Sequence, residues 1–79
     1  MLKVNYEYKK GFLVVNLEGI LDSRNMYELI NSIKVITTWN GINRVILDIE
    51  KVIALSDKYI KYIIEDMSDI SIDLKGYNF

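Results

Sequence analysis

The sequence predicts an α/β fold, a two-layer sandwich with the element order β-β-α-β-α-β, in which both helices cover one face of a four-stranded mixed sheet. Two observations support this prediction. Apolar residues recur at every second position in four segments, as in half-buried strands, and at helical spacing in two longer segments between them. The chain has 79 residues, so residues 1–79 are expected to form one small domain with a single thin core.

The first two strands are expected to form an antiparallel hairpin. Apolar residues at positions 2, 4, 6 and 8 alternate with polar ones, which indicates a strand with one buried face. A short turn follows, in which Gly11 tolerates a positive φ, and residues 12–18 form the second strand. One face of this strand carries Leu13, Val15 and Leu17, and the other carries Phe12, Val14 and Asn16.

A helix is expected over residues 23–38. Asp22 or Ser23 caps its amino terminus, because either side chain accepts a hydrogen bond from a backbone amide of the first turn. Gly41 ends the helix in a left-handed conformation. Trp39 follows at the carboxyl end, where we expect it to pack under the next loop. The apolar stripe comprises Met26, Leu29, Ile30 and Ile33, followed by Ile36 or Thr37.

The remaining elements complete two crossover units. Residues 43–50 form a third strand, residues 70–75 form a fourth, and the second helix begins at Ser56 or Asp57. Such strand-helix-strand connections are right-handed in nearly all proteins. Two in succession that move the same way along the sheet put both helices on one face. The expected core contains Leu13, Val15, Leu17, Leu29, Ile33, Val45, Leu47, Ile60, Ile64 and Ile72.

The other face of the predicted sheet is left open. Phe12, Val14 and Ile46 point to it from the two central strands, and no predicted helix remains to cover them. Such an apolar patch is either sheltered by the tail, through Tyr77 and Phe79, or forms an interaction surface. The sequence leaves both alternatives open.

The composition excludes several classes of function. A net charge of −1 argues against a nucleic-acid-binding face. The absence of cysteine and histidine removes disulfides, thiolate nucleophiles, imidazole catalysis and the usual zinc sites. We therefore expect no enzyme, no metal and no cofactor. Because no apolar run suits a membrane span and the amino terminus lacks a secretory signal, we expect a cytoplasmic protein.

Two segments resemble a known family. Residues 11–22 (GFLVVNLEGILD) precede the first helix, and residues 44–52 (RVILDIEKV) include the third strand. Together with the order of elements, they resemble the STAS domain, the family of bacterial anti-sigma-factor antagonists. The resemblance covers about residues 4–75. It implies a non-catalytic domain in transcription regulation that binds a protein partner, such as an anti-sigma kinase.

The loop before the second helix departs from the family pattern. In the family this loop usually contains Asp-Ser-Ser-Gly, and the kinase phosphorylates the first serine. Without gaps, Ser56 stands at the aspartate, Asp57 at the phosphorylated serine and Lys58 at the second serine. If one residue is deleted, Ser56 takes the phosphoserine position. The few residues after Lys75 further suggest a shortened member without the family's final helix.

These residues have a structural and a functional interpretation. Asp22 and Ser56 are good helix caps, and Asp57 is favourable in a first helical turn. The resemblance adds a partner surface formed by Asp22, Ser56, Asp57 and Lys58, in which Asp57 is a permanent charge instead of a switchable one. The expected function is a protein-interaction domain that serine phosphorylation does not switch. The alternative is a self-associating structural module whose open sheet face forms a homodimer.

Overall fold

The structure, a computed structural model, describes residues 1–53 and 56–76. Strands and helices follow one another in the order β-β-α-β-α-β, which confirms the predicted sequence of elements. They are β1 (Leu2–Lys9), β2 (Phe12–Ile20), α1 (Ser23–Asn40), β3 (Arg44–Ile53), α2 (Asp57–Asp66) and β4 (Ser71–Lys75).

The four strands form one mixed sheet in the order β1-β2-β3-β4. β1 and β2 pair antiparallel, whereas the β2–β3 and β3–β4 pairs are parallel. Parallel neighbours need a crossover connection, and α1 and α2 supply the two crossovers. Buried residues of both helices join one core cluster with a single face of the sheet. Both helices therefore cover the same face, and the predicted two-layer sandwich is confirmed.

The core lies between this face and the helices. The most deeply buried side chains are Val15 of β2, Val45 and Leu47 of β3, Ile33 of α1 and Ile63 of α2. They alternate with half-buried or exposed residues along the strands, because successive strand residues point to opposite faces. Of the predicted core, the following are buried: Leu13, Val15, Leu17, Leu29, Ile33, Val45, Leu47 and Ile60.

The prediction is wrong for Ile64, whose side chain is 41% exposed. α2 instead buries Ile60, Ile63 and Met67, which form a narrow stripe toward the sheet. Ile64 lies on the flank of that stripe. The sheet below ends in β4, a strand of five residues, so it is too narrow to cover this flank. Ile72 of β4 is partly buried and packs against the core.

The prediction for Trp39 is also wrong, because this side chain is 84% exposed. Thr37 takes the inward position in the last turn of α1, where it is buried and its hydroxyl donates to the backbone oxygen of Ile33 at 2.8 Å. A residue two places further along a helix is rotated by about 200°, so Trp39 points to solvent. Gly41 ends α1 as predicted, with a φ of 62°.

Candidate functional site

The predicted partner residues lie at one end of the sheet, where both helices begin. β2 and β3 are parallel neighbours, and their last residues, Ile20 and Ile53, pair with each other. The helix caps Asp22 and Ser56 follow these strand ends. The carboxyl ends of neighbouring parallel strands are the usual place for a binding site in α/β folds. We call this area the carboxyl-end surface, formed by Ile20, Asp22, Ile53, Ser56, Asp57 and Lys58.

Asp22 takes part in a reciprocal cap at the start of α1. Its Oδ1 accepts a hydrogen bond from the backbone N–H of Asn25 at 2.8 Å, and Asn25 Oδ1 accepts one from the backbone N–H of Asp22 at 2.8 Å. The Asn25 side-chain amide also donates to the backbone oxygen of Ile20 at 2.9 Å. These bonds confirm the structural interpretation of Asp22, whereas its contact with a partner stays a prediction.

Ser56 is the amino-terminal cap of α2. Its Oγ accepts a hydrogen bond from the backbone N–H of Lys58 at 3.3 Å, which satisfies one of the amides that a helix start leaves unpaired. Asp57 is the acidic residue of the first turn, where the positive end of the helix dipole favours a negative charge. Ser56, Asp57 and Lys58 are all exposed, so a partner can reach them.

Two isoleucines extend the predicted site. Ile20 is 49% exposed and Ile53 is 64% exposed. Both lie beyond the predicted strand ends at residues 18 and 50. The β2–β3 pairing shifts register between Asn16 and Glu18 and then continues to Ile20 and Ile53. A signal that could have found them is an isoleucine two or three residues before each predicted helix cap.

The open face of the sheet carries a small apolar strip, formed by Phe12, Val14 and Ile46, which we call the open-face strip. Each of the three side chains is half-buried. Val14 and Ile46 are paired neighbours on β2 and β3. The guanidinium carbon of Arg44 lies 5.7 Å from the centre of the Phe12 ring, close enough for a cation–π contact. Strand pairing and one cation therefore shelter the strip partly.

Ion pairs border the open-face strip on the side of β4. The Arg44 guanidinium lies 3.0 Å from Asp73, and the Lys75 ammonium lies 3.7 Å from Asp48. Asp48 is half-buried and the other three residues are exposed. Pairs at the surface add little to stability, but they make the border of the strip polar. Tyr77 and Phe79, the predicted cover for the strip, lie outside the described residues, so shelter by the tail stays a prediction.

The carboxyl-end surface carries apolar side chains and single charges but no cluster of metal-ligating groups among the described residues. Within residues 1–53 and 56–76, no group of three or more histidine, cysteine or carboxylate side chains could hold a metal ion. No helix in this part of the chain is both long and apolar enough to cross a bilayer. The carboxyl-end surface combines apolar side chains, helix caps and single charges, which suit the binding of another protein.

Comparisons with models of known protein families and with curated proteins find no match to the sequence. Solved structures do match. The anti-sigma factor antagonist from Mycobacterium paratuberculosis matches with a TM-score of 0.73 and 16% identity, over 94% of this chain and 66% of its own. The antisigma-factor antagonist STAS domain from Rhodobacter sphaeroides matches with a TM-score of 0.68 and 13% identity, over 95% of this chain and 86% of its own. A protein named Mglu matches with a TM-score of 0.71 and 16% identity, over 89% of this chain and 18% of its own.

The chain therefore has the STAS fold, which anti-sigma factor antagonists share. This confirms the fold that the sequence resemblance implied. The chain spans less than a fifth of Mglu and about two thirds of the Mycobacterium antagonist. At 13–16% identity these similarities show the fold alone. They do not assign the activities of those proteins to this chain.

Proposed function

We propose that this chain is a non-catalytic regulatory domain that binds a protein partner through the carboxyl-end surface, similarly to an anti-sigma-factor antagonist. The observation that carries the proposal is the pair of exposed isoleucines, Ile20 and Ile53, beside the two helix starts. Single exposed apolar residues are common on protein surfaces, whereas adjacent ones with a polar rim are typical of an interface.

The fold shared with two anti-sigma factor antagonists supports the choice of partner class. The partner proposed is an anti-sigma kinase-like protein or a related regulator. The proposal assumes a cytoplasmic role in bacterial transcription regulation. It assumes a protein ligand, and no nucleic acid, membrane, metal or cofactor.

Ile53→Asp is expected to weaken partner binding by about tenfold or more. The new carboxylate would lose its water at the centre of an apolar contact without gaining a compensating hydrogen bond or opposite charge. Since Ile53 is 64% exposed, the free energy of unfolding should change little. The partner recovered with the tagged chain from its own host supplies the ligand, and isothermal titration with the purified pair measures the affinity.

The matched control is Ile64→Asp, which makes the same change at the outer flank of α2, where the side chain is 41% exposed. It is expected to keep the affinity of the unmodified chain. Equal losses in both variants, or no loss in Ile53→Asp, would show that the partner binds elsewhere.

We further propose that phosphorylation does not switch this domain. In the ungapped register Asp57 occupies the position of the phosphorylated serine, and a carboxylate takes no phosphate from a serine kinase. Ser56 is the adjacent hydroxyl, but its Oγ accepts the Lys58 N–H as the cap of α2. A phosphate brings about two negative charges, and here it would lie beside the carboxylate of Asp57. The domain is thus held in one binding state.

Mass spectrometry of the chain purified from its own host is expected to show no phosphate at Ser56. Asp57→Ser should gain an acceptor when incubated with the partner kinase and ATP, while its far-ultraviolet circular dichroism stays unchanged. Lys58→Ser is the control, because it adds a serine one position later and should stay unmodified. Stoichiometric phosphate on Ser56 of the unmodified chain would refute the proposal.

A second candidate function is that of a self-associating structural module. The open-face strip favours it, because no described helix covers Phe12, Val14 or Ile46. In this alternative the strips of two copies pack against each other in a homodimer. This alternative is weaker than the carboxyl-end surface, because the three side chains of the open-face strip are half-buried, whereas Ile20 and Ile53 are 49% and 64% exposed. A stable dimer also buries more apolar area than three half-buried side chains provide.

Val14→Glu tests this alternative. If the strip is an interface, the variant should convert a dimer to a monomer with unchanged helical circular dichroism, because it brings two carboxylates into the contact. If the tail covers the strip, the variant should destabilise a protein that is monomeric throughout. Sedimentation velocity and urea denaturation distinguish the two results. Ile64→Glu also replaces an aliphatic side chain by a carboxylate, but on α2, where the side chain is 41% exposed; it is the control and should have neither effect.

A further inference from the structure

β1 forms a long and regular edge of the sheet. Its eight residues all pair with β2 in one unbroken register, and no other described strand pairs with its outer side. Such an edge presents a row of backbone N–H and C=O groups that a further strand can satisfy. Proteins block edges with proline, bulges, very short strands or charged side chains, lysine above all. Of these, β1 has only the charged side chains, Lys3, Glu7 and Lys9, which oppose a second strand unless opposite charges face them. The opposite edge, β4, has only five residues.

The charged residues of β1 are self-complementary in one antiparallel register. Val4 and Tyr6 pack against the core, so the alternate residues, Lys3 and Glu7, point to the open face. A twofold axis at Asn5 brings Lys3 of each copy opposite Glu7 of the other. Two pairs of opposite charge then form across the contact, and such cross-strand pairs stabilise adjacent strands.

The apolar residues of β1 match in the same register. On the helix-covered side the axis at Asn5 brings aliphatic side chains opposite aromatic ones, a favourable cross-strand combination. These pairs are Leu2 with Tyr8 and Val4 with Tyr6, each formed twice by symmetry.

Neighbouring registers lack this match. Directly opposite residues share a face, so a twofold axis normal to the sheet must fall on a residue. An axis at Tyr6 brings Lys3 opposite Lys9, which are like charges. An axis at Val4 brings Lys3 opposite Asn5 and shortens the overlap. Charge complementarity therefore selects the axis at Asn5.

α1 adds exposed apolar surface beside β1. Tyr6 and Val35 line one groove, so this part of α1 lies next to the edge strand. Tyr8 is 61% exposed, Val35 57% and Trp39 84%. Trp39 follows Val35 by about one helical turn, and Tyr8 follows Tyr6 in the same direction, because α1 and β1 both run opposite to β2. A second copy brings its Leu2 to this side.

We propose that two copies of this chain associate through β1, paired antiparallel about Asn5, and form one continuous sheet. The occupant is a second copy because the charge pattern complements itself under twofold symmetry, as an isologous contact requires. This interface differs from the open-face strip. It also leaves the start of α2 accessible, because α2 connects β3 and β4 while β1 lies at the other edge. The proposal therefore stands independently of the proposed function.

A cysteine at the axis tests the register directly, and the chain has no natural cysteine. Opposite residues of antiparallel strands have Cα atoms about 4.5–5.5 Å apart, within the range of a disulfide. Purified Asn5→Cys is expected to oxidise to a covalent dimer on a non-reducing gel. Lys9→Cys is the control, because in this register its two copies lie about 26 Å apart. No covalent dimer of Asn5→Cys, or equal amounts in both variants, would overturn the register.

Sedimentation equilibrium of the purified chain tests the charges. The unmodified chain is expected to dimerise, and Glu7→Lys should raise the dissociation constant by about tenfold, because like charges then oppose each other. The charge swap Lys3→Glu with Glu7→Lys should restore the dimer, whereas the control Glu65→Lys on α2 should leave it unchanged. A chain monomeric up to millimolar concentration would overturn the proposal. A dimer that survives Glu7→Lys but is lost in Val14→Glu would also overturn it, and would assign the contact to the open-face strip.

Discussion

Leu47→Ala is expected to lower the free energy of unfolding by about 2–5 kcal/mol. Leu47 is 1% exposed and pairs with Val15 on one side and Leu74 on the other. The smaller side chain removes apolar contacts and leaves a cavity that two paired neighbours prevent from collapsing. A domain of this size has a total stability of about 4–12 kcal/mol, so one truncation removes a large share.

Urea denaturation followed by circular dichroism measures this loss. The matched control is Ile46→Ala, the preceding residue, which is half-buried on the open face. It should cost about 1 kcal/mol, because less apolar surface leaves water there on folding. Equal costs for the two variants would contradict the assignment of the helix-covered face as the only packed one among the described residues.

The alternation of apolar and polar residues is enough to predict which face of each strand is buried. Val15, Val45 and Leu47 are predicted and observed in the core, because a one-residue shift in the strand would expose the whole set. Gly41 marks the end of α1 for an equally local reason, its φ of 62°. Right-handed crossovers, together with a single apolar face on each strand, predict that both helices lie on one face and that the strands follow the chain order. These are properties of short segments, and the sequence contains them in full.

The errors arise where tertiary packing decides. Ile64 continues a plausible helical pattern, but its exposure depends on how far the sheet extends under α2. The expected packing of Trp39 under the next loop fails because Trp39 lies two residues after the inward-facing Thr37 and is turned to solvent. The ends of β2 and β3 are missed because the two strands stay paired as far as Ile20 and Ile53, and pairing between distant segments is not visible in the alternation of either one. Ile20 and Ile53 become neighbours only through that pairing.

The candidate site divides in the same way. Resemblance to a family motif pointed to Ser56 and Asp57, and the residues themselves explain the cap of α2. The place of Ile20 and Ile53 shortly before each helix cap is visible in the sequence, but their exposure is a property of the assembled carboxyl end of the sheet. The charges of β1 are visible in the sequence. They indicate a pairing surface only because the structure places β1 at an edge of the sheet.

The fold depends at Gly19 on the absence of a side chain. Its φ is 115°, a conformation that residues with a Cβ rarely adopt. A Cβ there would also collide with the backbone carbonyl of Met1, the same oxygen that accepts a hydrogen bond from the Ile20 N–H at 3.2 Å. Gly19 therefore allows the start of β1 to lie close to the end of β2, beside the carboxyl-end surface.

Gly19→Ala is expected to lower the free energy of unfolding by about 2–4 kcal/mol, the sum of backbone strain and a lost or displaced hydrogen bond. Gly11→Ala is the matched control, because Gly11 also has a positive φ, 87°, but a Cβ there meets no atom within 4 Å. The control isolates the backbone strain and should cost about 1 kcal/mol. Thermal and urea denaturation of both variants measure the difference. If the two cost the same, the close approach of Met1 to β2 contributes nothing, and the amino-terminal end of β1 is not fixed by Gly19.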